Sequence, residues 1–264
     1  MKSILLLATI VTLTLPTLFS QPATAQGRST VLTSGTTLAD AKLTVEQLIE
    51  RAESKNTAKD YQGAIKDYTL AIEMKPDNLA AIYIMRAKVY GYEFSEKAIA
   101  DYTQAIKLAP NDVETYMARA FFYGVGSPEK AIADYTQATK VSPKNPEPYA
   151  RMGHLLARQG KHDEAIKAFT QSIQVIADPS SAYTLYDDRG LSYHANGNYQ
   201  KAIADFNQSI QLEPMNASGH YYRGLSYQAL GQKQEALADF KRVLEVDKEH
   251  PEAEELMKKI KELQ

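Results

Sequence analysis

The sequence contains no cysteine among its 264 residues. This absence excludes disulfide bonds, thiolate metal sites, cysteine nucleophiles and a lipidated N-terminal cysteine. An excess of charge of one sign is also missing, since the formal net charge is −2 and the isoelectric point is about 6.2. The chain therefore has no overall field that would hold nucleic acid or an anionic membrane surface.

The pronounced apolar run near the N-terminus, Ile4–Leu15, is too short to span a bilayer easily, which takes about 20 residues. Lys2 precedes this run and small residues follow it at 23–25, a pattern typical of a signal peptide. We therefore predict a signal peptide over residues 1–25. We also predict export to the periplasm, the exterior or a lumen, without stable membrane insertion after cleavage. An uncleaved N-terminal anchor is the alternative.

The next segment, residues 26–42, is dominated by glycine, serine and threonine as far as Leu38 and has little to bury. Such a composition predicts a flexible tether. The pattern changes at Thr44, which forms the spacing of a capping box with Gln47, and apolar residues then recur at helical intervals. The folded part of the chain is therefore predicted to begin near residue 43.

Six similar segments follow one another along the rest of the chain. Each contains a reference alanine, and these alanines are 34, 33, 34, 37 and 34 residues apart. They are Ala64, Ala98, Ala131, Ala165, Ala202 and Ala236. An aromatic residue stands four residues after each reference alanine. Seven residues after the reference alanine stands alanine or serine, in all but the last copy. A second small residue precedes the reference alanine by eleven or twelve positions. A repeat at this period predicts an array of packing units rather than a duplicated catalytic motif.

The recurring positions have mechanical explanations. Spacings of three and four place the reference alanine, the aromatic residue and the next small residue on one helix face. Small residues let two helices approach closely, and aromatic rings fill the space beside them. Gly160, Gly197 and Gly231 each precede a reference alanine by five and predict the left-handed residue that ends a first helix. Recurring prolines end the second helix. Each segment is thus predicted to be a helix–turn–helix.

This pattern resembles the degenerate 34-residue motif of the tetratricopeptide repeat family over about Leu43–Lys248. The resemblance implies an all-α fold, a right-handed superhelical solenoid of antiparallel helix pairs closed by a C-terminal capping helix at 251–264. The chain departs from the family pattern in carrying tyrosine where tryptophan is frequent, and in a three-residue insertion around Asp178. The six repeats are predicted at about 45–78, 79–112, 113–145, 146–182, 183–216 and 217–250.

Catalytic signatures are scarce. The sequence has no His-Glu-x-x-His motif, no phosphate-cradling glycine loop and no Gly-x-Ser-x-Gly elbow. The five histidines lack metal-ligand spacing, and His220 is predicted to replace one of the recurring tyrosines, which are themselves predicted to be core residues. We predict no enzyme activity, no catalytic residue, no metal and no cofactor. A row of aspartates, each three residues after a reference alanine, is predicted to be one repeated surface position: Asp67, Asp101, Asp134, Asp205 and Asp239.

In the family that the chain resembles, the first helix of each pair lines a concave groove that commonly holds a peptide. This resemblance assigns a groove that is apolar in its early repeats, cationic in the middle, then acidic, then aromatic, a composition that suits an interface. Two alternatives stay open: Arg151 and Asp188 pair with each other, or the tether or another copy of the protein covers the apolar set. The predicted lining residues are Ile84, Met85, Met117, Phe121, Arg151, His154, Arg158, Asp187, Asp188, His194, Tyr221 and Tyr222.

The predicted function is a non-catalytic scaffold or adaptor in an exported compartment that binds a protein or peptide ligand in this groove, and no nucleic acid. The alternative is a structural protein that assembles with itself into homo-oligomers and has no separate peptide ligand.

Overall fold

The computed structural model describes residues 43–91, 93–124 and 126–263. The predicted signal peptide and tether lie outside these residues. The described part of the chain is all-helical and contains no β-strand. None of its helices is both long and apolar enough to cross a membrane. The helices are α1 (Val45–Thr57), α2 (Tyr61–Glu73), α3 (Leu79–Tyr90), α4 (Ser95–Leu108), α5 (Val113–Tyr123), α6 (Pro128–Val141), α7 (Pro146–Arg158), α8 (His162–Val175), α9 (Tyr183–Ala195), α10 (Tyr199–Leu212), α11 (Ala217–Ala229), α12 (Lys233–Val246) and α13 (Ala253–Leu263).

The helices pack in consecutive pairs. Each odd-numbered helix up to α11 packs against the helix that follows it, and each even-numbered helix then packs against the first helix of the next pair. Contacts between neighbouring pairs repeat along the chain, which is the organisation of a solenoid. The fold is the predicted right-handed superhelical solenoid of six antiparallel helix pairs with a capping helix.

The core of each pair is built on the reference alanines, all of which are fully buried. In repeats one to three, the first helix carries alanine opposite them and the second helix carries tyrosine four residues after them. In repeats four to six, these residues are glycine and phenylalanine. The ring of the phenylalanine requires the smaller residue. A Cβ atom added to Gly190 would lie 2.8 Å from Cε1 of Phe206, and one added to Gly224 would lie 2.7 Å from Cε1 of Phe240. The phenylalanine ring thus occupies the position of the missing side chain.

The turns within the pairs follow the predicted backbone geometry. Gly160, Gly197 and Gly231 have φ angles of +73°, +72° and +73°. The prediction of a left-handed residue at these positions is confirmed, because glycine adopts this conformation without the steric cost of a Cβ atom. The equivalent position of the first repeat is Lys59, which adopts a φ of 63° in spite of its side chain.

Both ends of the solenoid are finished by local structure. At the start of α1, Gln47 N donates to Thr44 Oγ1 at 3.3 Å and Thr44 N donates to Gln47 Oε1 at 3.0 Å, so the predicted capping box is confirmed. At the other end, α13 packs on α12 and buries Leu256 against Phe240 and Val243. A terminal helix of this kind covers the apolar face that the last pair would otherwise expose.

The three-residue insertion of the fourth repeat forms a short 3₁₀ helix, Pro179–Ala182, between α8 and α9. Asp178 caps it by accepting hydrogen bonds from the backbone N and the hydroxyl of Ser180, at 3.0 and 2.6 Å. Ala182 is buried at its end. The insertion is therefore accommodated as one extra turn that packs against α9 and α10.

Candidate functional site

The recurring aspartates are buried, so the prediction that they form a repeated surface position is wrong. In each case the carboxylate accepts two hydrogen bonds from the arginine that stands just before the small residue of the preceding helix, at 2.6–2.8 Å. The physical reason is helical geometry, because a residue three after the reference alanine shares its inward face. We call these pairs the buried arginine–aspartate series: Arg51–Asp67, Arg86–Asp101, Arg119–Asp134, Arg189–Asp205 and Arg223–Asp239.

The arginines of this series also join neighbouring repeats. Arg86 donates through Nη1 to Thr69 Oγ1 at 2.8 Å, and Arg119 donates in the same way to Thr103 at 2.9 Å. Arg189 and Arg223 make equivalent bonds to Thr170 and Asn207, at 3.1 and 2.6 Å. Each charge is thus matched by partners within the solenoid, which makes the series part of the architecture.

The recurring tyrosines of the first helices are partly exposed, so the prediction that they are core residues is wrong for them, whereas Tyr68, Tyr102 and Tyr135 of the second helices are buried in the core. Tyr83 and Tyr186 are half-buried, and the guanidinium carbons of Arg86 and Arg189 lie 5.7 and 5.5 Å from the centroids of their rings. At this distance a ring attracts the cation and shields it from solvent. These two rings lie beside the pairs Arg86–Asp101 and Arg189–Asp205.

The fourth repeat interrupts the series. Met152 stands at the arginine position of α7, and Ala168 stands at the aspartate position of α8. Thr136, which would accept the inter-repeat bond, has its Oγ1 3.8 Å from Met152 Sδ. Both members of the pair are replaced together, so neither charge is buried alone.

One pocket lies between α5 and α7 and has a volume of about 230 Å³. It brings together three of the predicted groove residues, Met117, Phe121 and Arg151. Arg151 pairs with Glu147 at 3.2 Å, and burial, with Glu147 and Asp112 nearby, raises the pKa of Glu114. The lining of this α5–α7 pocket is Glu114, Met117, Ala118, Phe121, Tyr135, Glu147 and Arg151.

A second pocket lies on the other side of α7, against α8 and α9, and has a volume of about 330 Å³. It brings together three more predicted groove residues, His154, Arg158 and Asp188. Carbon atoms of Ala157, Phe169 and Leu191 supply apolar wall. The full lining of this α7–α9 pocket is His154, Ala157, Arg158, His162, Phe169, Asp188, Leu191 and Ser192.

The electrostatics of the α7–α9 pocket centre on Asp188. Burial, with a smaller contribution from Asp187, raises the pKa of Asp188 to about 7. His154 Nε2 lies 3.3 Å from Asp188 Oδ2. However, burial, Arg151 and Arg158 lower the pKa of His154, which disfavours the protonated imidazole that would compensate the charge of Asp188. The alternative in which Arg151 pairs with Asp188 does not hold in the structure, since their partners are Glu147 and His154.

The other predicted groove residues contact neighbouring helices of the solenoid. Asp187 Oδ2 accepts from Asn216 Nδ2 at 2.6 Å, and His194 Nδ1 lies 2.8 Å from Ser226 Oγ. Ile84 and Met85 are half-buried and pack on the cores of the first repeats. Tyr222 stacks on Phe206, and the ring of Tyr221 lies 6.5 Å from that of Phe240. Partner binding by these six residues stays a prediction.

His220 has the structural environment that the sequence predicts. It is buried in α11, and its Nδ1 lies 3.2 Å from Asp239 Oδ1 within the last pair of the arginine–aspartate series. Among residues 43–91, 93–124 and 126–263, no group of three or more histidine, aspartate or glutamate side chains is arranged to hold a metal ion.

Several polar residues of the pockets were not predicted from the sequence, among them Glu114, Glu147 and His162. Glu114 precedes Met117 by three, so the helical spacing that selected Met117 also indicates Glu114. Glu147 precedes Arg151 by four and follows from the same rule. His162 begins a second helix, and no first-helix pattern could have found it.

Helix pairs with an open, mixed apolar and charged surface define a repeat scaffold of the kind that binds other proteins. Sequence profiles described as TPR repeat match residues 122–160 and 190–231, and profiles described as tetratricopeptide repeat match residues 146–179 and 217–250. The chain belongs to the tetratricopeptide repeat family, as predicted. Proteins of this family are generally non-catalytic scaffolds. No protein of curated function matches the sequence significantly.

Solved structures with this fold include MamA, which is 26% identical over 59% of this chain and 90% of its own, with a TM-score of 0.55. MamA from Desulfovibrio magneticus RS-1, from residue 41 to its end, is 18% identical over 65% of this chain and 97% of its own, with a TM-score of 0.58. YrrB, described as a TPR protein with an unusual peptide-binding site, is 19% identical over 72% and 97%, with a TM-score of 0.60. The last two show the likeness of fold alone.

Proposed function

We propose that this protein is a non-catalytic scaffold that binds a protein or peptide segment in an exported compartment, through the face formed by α5, α7 and α9. The observation that carries the proposal is the pair of pockets on the two sides of α7. Six of the twelve residues predicted for the groove line these two pockets.

The chemistry of the face suits a peptide ligand. Phe121 is about half exposed, and Met117 and Ala118 lie beside it in the α5–α7 pocket. A half-buried methionine and an exposed phenylalanine next to arginine are suitable anchors of an interface, and methionine adapts its shape to different ligands. Arg151 and Arg158, both exposed on α7, add charged groups at the rim that fix orientation.

Export is proposed from the N-terminal sequence pattern, which is typical of a signal peptide. Expression of the full chain in its source cell, followed by fractionation and N-terminal sequencing, tests it. A product that begins near Gln26 in an exported fraction supports the proposal. A product with Met1 or Lys2 retained in the cytoplasmic fraction contradicts it.

Partner capture tests the binding function. We expect wild-type protein to retain a partner from an envelope extract, and Met117→Glu or Arg151→Glu to retain less of it, because both changes alter the α5–α7 pocket. Helicity and melting temperature should stay nearly unchanged. Glu73→Gln, an exposed change at the end of α2, is the matched control. Equal retention by all four proteins would indicate that the partner contacts another surface of the protein.

Self-assembly is the other outcome that this experiment can reveal. If the protein retains only itself, and light scattering shows a mass that rises with concentration, the protein is a self-assembling structural protein rather than a scaffold for a separate partner. A mass that stays at one chain across the concentration range supports the scaffold.

A further inference from the structure

We propose that the α7–α9 pocket binds a basic side chain of a peptide ligand, lysine or arginine, with its cation on the carboxylate of Asp188 and its methylenes on the apolar wall. This inference rests on the proposed function, because it names the chemistry of a ligand that the same face would hold.

The first step is the difference in burial between the charges of the pocket. The side chain of Asp188 is 23% exposed, whereas that of His154 is 50% exposed and Arg158 is exposed at the rim. Charges in a low-dielectric environment gain the most from a partner, and charges in solvent gain little. The group that a ligand can stabilise most is therefore the acid.

The second step is the lack of compensation for this acid. The charged and titratable groups that face it are His154 and Arg158 from α7, His162 from α8 and Asp187 from its own helix. Partial burial and the nearby Arg151 and Arg158 lower the pKa of His154, and Asp187 adds repulsion. Arg189, the next residue on α9, is paired with Asp205 of α10, and Arg223 of α11 is paired with Asp239, so both arginines already have carboxylate partners.

One polar atom of the pocket lining points to the same kind of ligand. His162 Nδ1 is buried and has no hydrogen-bond partner among the described residues. Unpaired buried polar atoms are costly, so a ligand that supplies donors is favoured. An ammonium group carries three donors and a guanidinium group carries five. A basic side chain can thus satisfy Asp188 and His162 together.

The apolar wall explains why a side chain fits better than a free cation. Ala157, Phe169 and Leu191 line the pocket, and its volume of about 330 Å³ is large enough for a long side chain. Lysine and arginine bury their methylenes on apolar surface while the charged end contacts a polar partner. An acidic side chain would instead face Asp188 across the pocket, with solvent-exposed Arg158 as its cation.

Four libraries of octapeptides, acetylated and amidated at their ends, test the inference. Each library fixes its central residue as lysine, arginine, norleucine or glutamate and varies the other positions among uncharged residues. The immobilised full chain is compared with Asp188→Asn, which keeps the shape of the side chain, and with Glu73→Gln as the matched control. Circular dichroism establishes that each protein is folded.

We expect the wild type and the control to retain the lysine and arginine libraries about tenfold more than the norleucine library, and Asp188→Asn to lose this preference. Asp188→Glu, which keeps a carboxylate, should retain part of it. Equal retention of norleucine and lysine, a preference for glutamate, or a lysine preference that survives in Asp188→Asn would overturn this inference and leave the proposed function in place. Failure of every library to bind would count against both.

Discussion

Replacing Arg119 with methionine is expected to lower the free energy of unfolding by about 3–5 kcal/mol. Arg119 donates to both carboxylate oxygens of Asp134 at 2.7 and 2.8 Å, and the two side chains are 15% and 6% exposed. The methionine side chain would leave the Asp134 carboxylate buried without its cation, and Thr103 would lose its bond from Nη1. The loss follows from an uncompensated buried charge rather than from the ion pair being strong in itself.

The fourth repeat supplies the matched rescue. Met152 and Ala168 occupy the positions that Arg119 and Asp134 hold in the third repeat. Combining Arg119→Met with Asp134→Ala should therefore recover at least about 2 kcal/mol of the loss, because no charge is then buried. Arg242→Met is the control for an exposed arginine, since Arg242 pairs with Glu245 at 3.1 Å on the surface and should cost at most about 1 kcal/mol.

Urea denaturation followed by circular dichroism measures these differences, and equal m values across the variants allow their midpoints to be compared. A double variant as unstable as the sum of its two single variants would refute the account, because additivity means that the two residues do not interact. A cost below about 1 kcal/mol for Arg119→Met would refute it as well.

Three further changes test other parts of the structure. Gly190→Ala should lower the free energy of unfolding by about 1–3 kcal/mol in a urea melt, because the new Cβ atom would lie 2.8 Å from Phe206, and an unchanged midpoint would contradict this. Lys59→Gly should raise the stability by about 0.5–1 kcal/mol by relieving a positive φ, and a lower midpoint would show that the lysine side chain matters more. In the wild type, stability should fall as pH rises from about 4 to about 7, because the Asp188 carboxyl loses its proton near pH 4 in the unfolded chain but only near pH 7 in the folded protein. Asp188→Asn should abolish this fall. Parallel pH profiles of urea midpoints for the two proteins would contradict that last expectation.

The parts of the fold that could be predicted from sequence are those encoded by short spacings. The left-handed Gly160, Gly197 and Gly231 and the capping box of Thr44 depend on residues three to five apart, and each pattern has one physical solution. Repetition multiplies this information, because six copies of a weak pattern specify one packing unit. The helix pairs and their order follow directly.

The burial of the aspartates could not be predicted from their spacing to the reference alanine alone. A charged residue is normally solvated, so Asp134 by itself indicates a surface position. Its burial depends on Arg119, which is fifteen residues earlier and belongs to another helix. The signal was nevertheless present, since an arginine just before the small residue recurs in every copy that has the aspartate and is absent where Ala168 replaces it.

The sequence predicts the candidate site only as far as residue spacing predicts which side chains share one face of a helix. Met117 and Arg151 line the α5–α7 pocket, and Asp188 lines the α7–α9 pocket. Residues such as His194 satisfy the same spacing but bond to a neighbouring repeat through Ser226. The direction of a side chain depends on the partner that the next helix presents, and one repeat does not specify its neighbour's polar residues.

The interruption of the buried series and the position of the pockets concern the same helix. In four of the other five repeats, the first helix uses its arginine to bond across to the preceding repeat, whereas α7 has Met152 there and makes a contact with Thr136 at 3.8 Å. Its cationic side chains, Arg151 and Arg158, are instead both exposed beside the pockets. The hydrogen bond that Met152 Sδ accepts from the Thr136 hydroxyl is not charge-assisted, unlike the four bonds that the arginines donate between repeats. Among the described residues of repeats two to six, α7 is therefore the first helix without a charge-assisted bond to the preceding repeat, and both of its arginines lie exposed beside the two pockets.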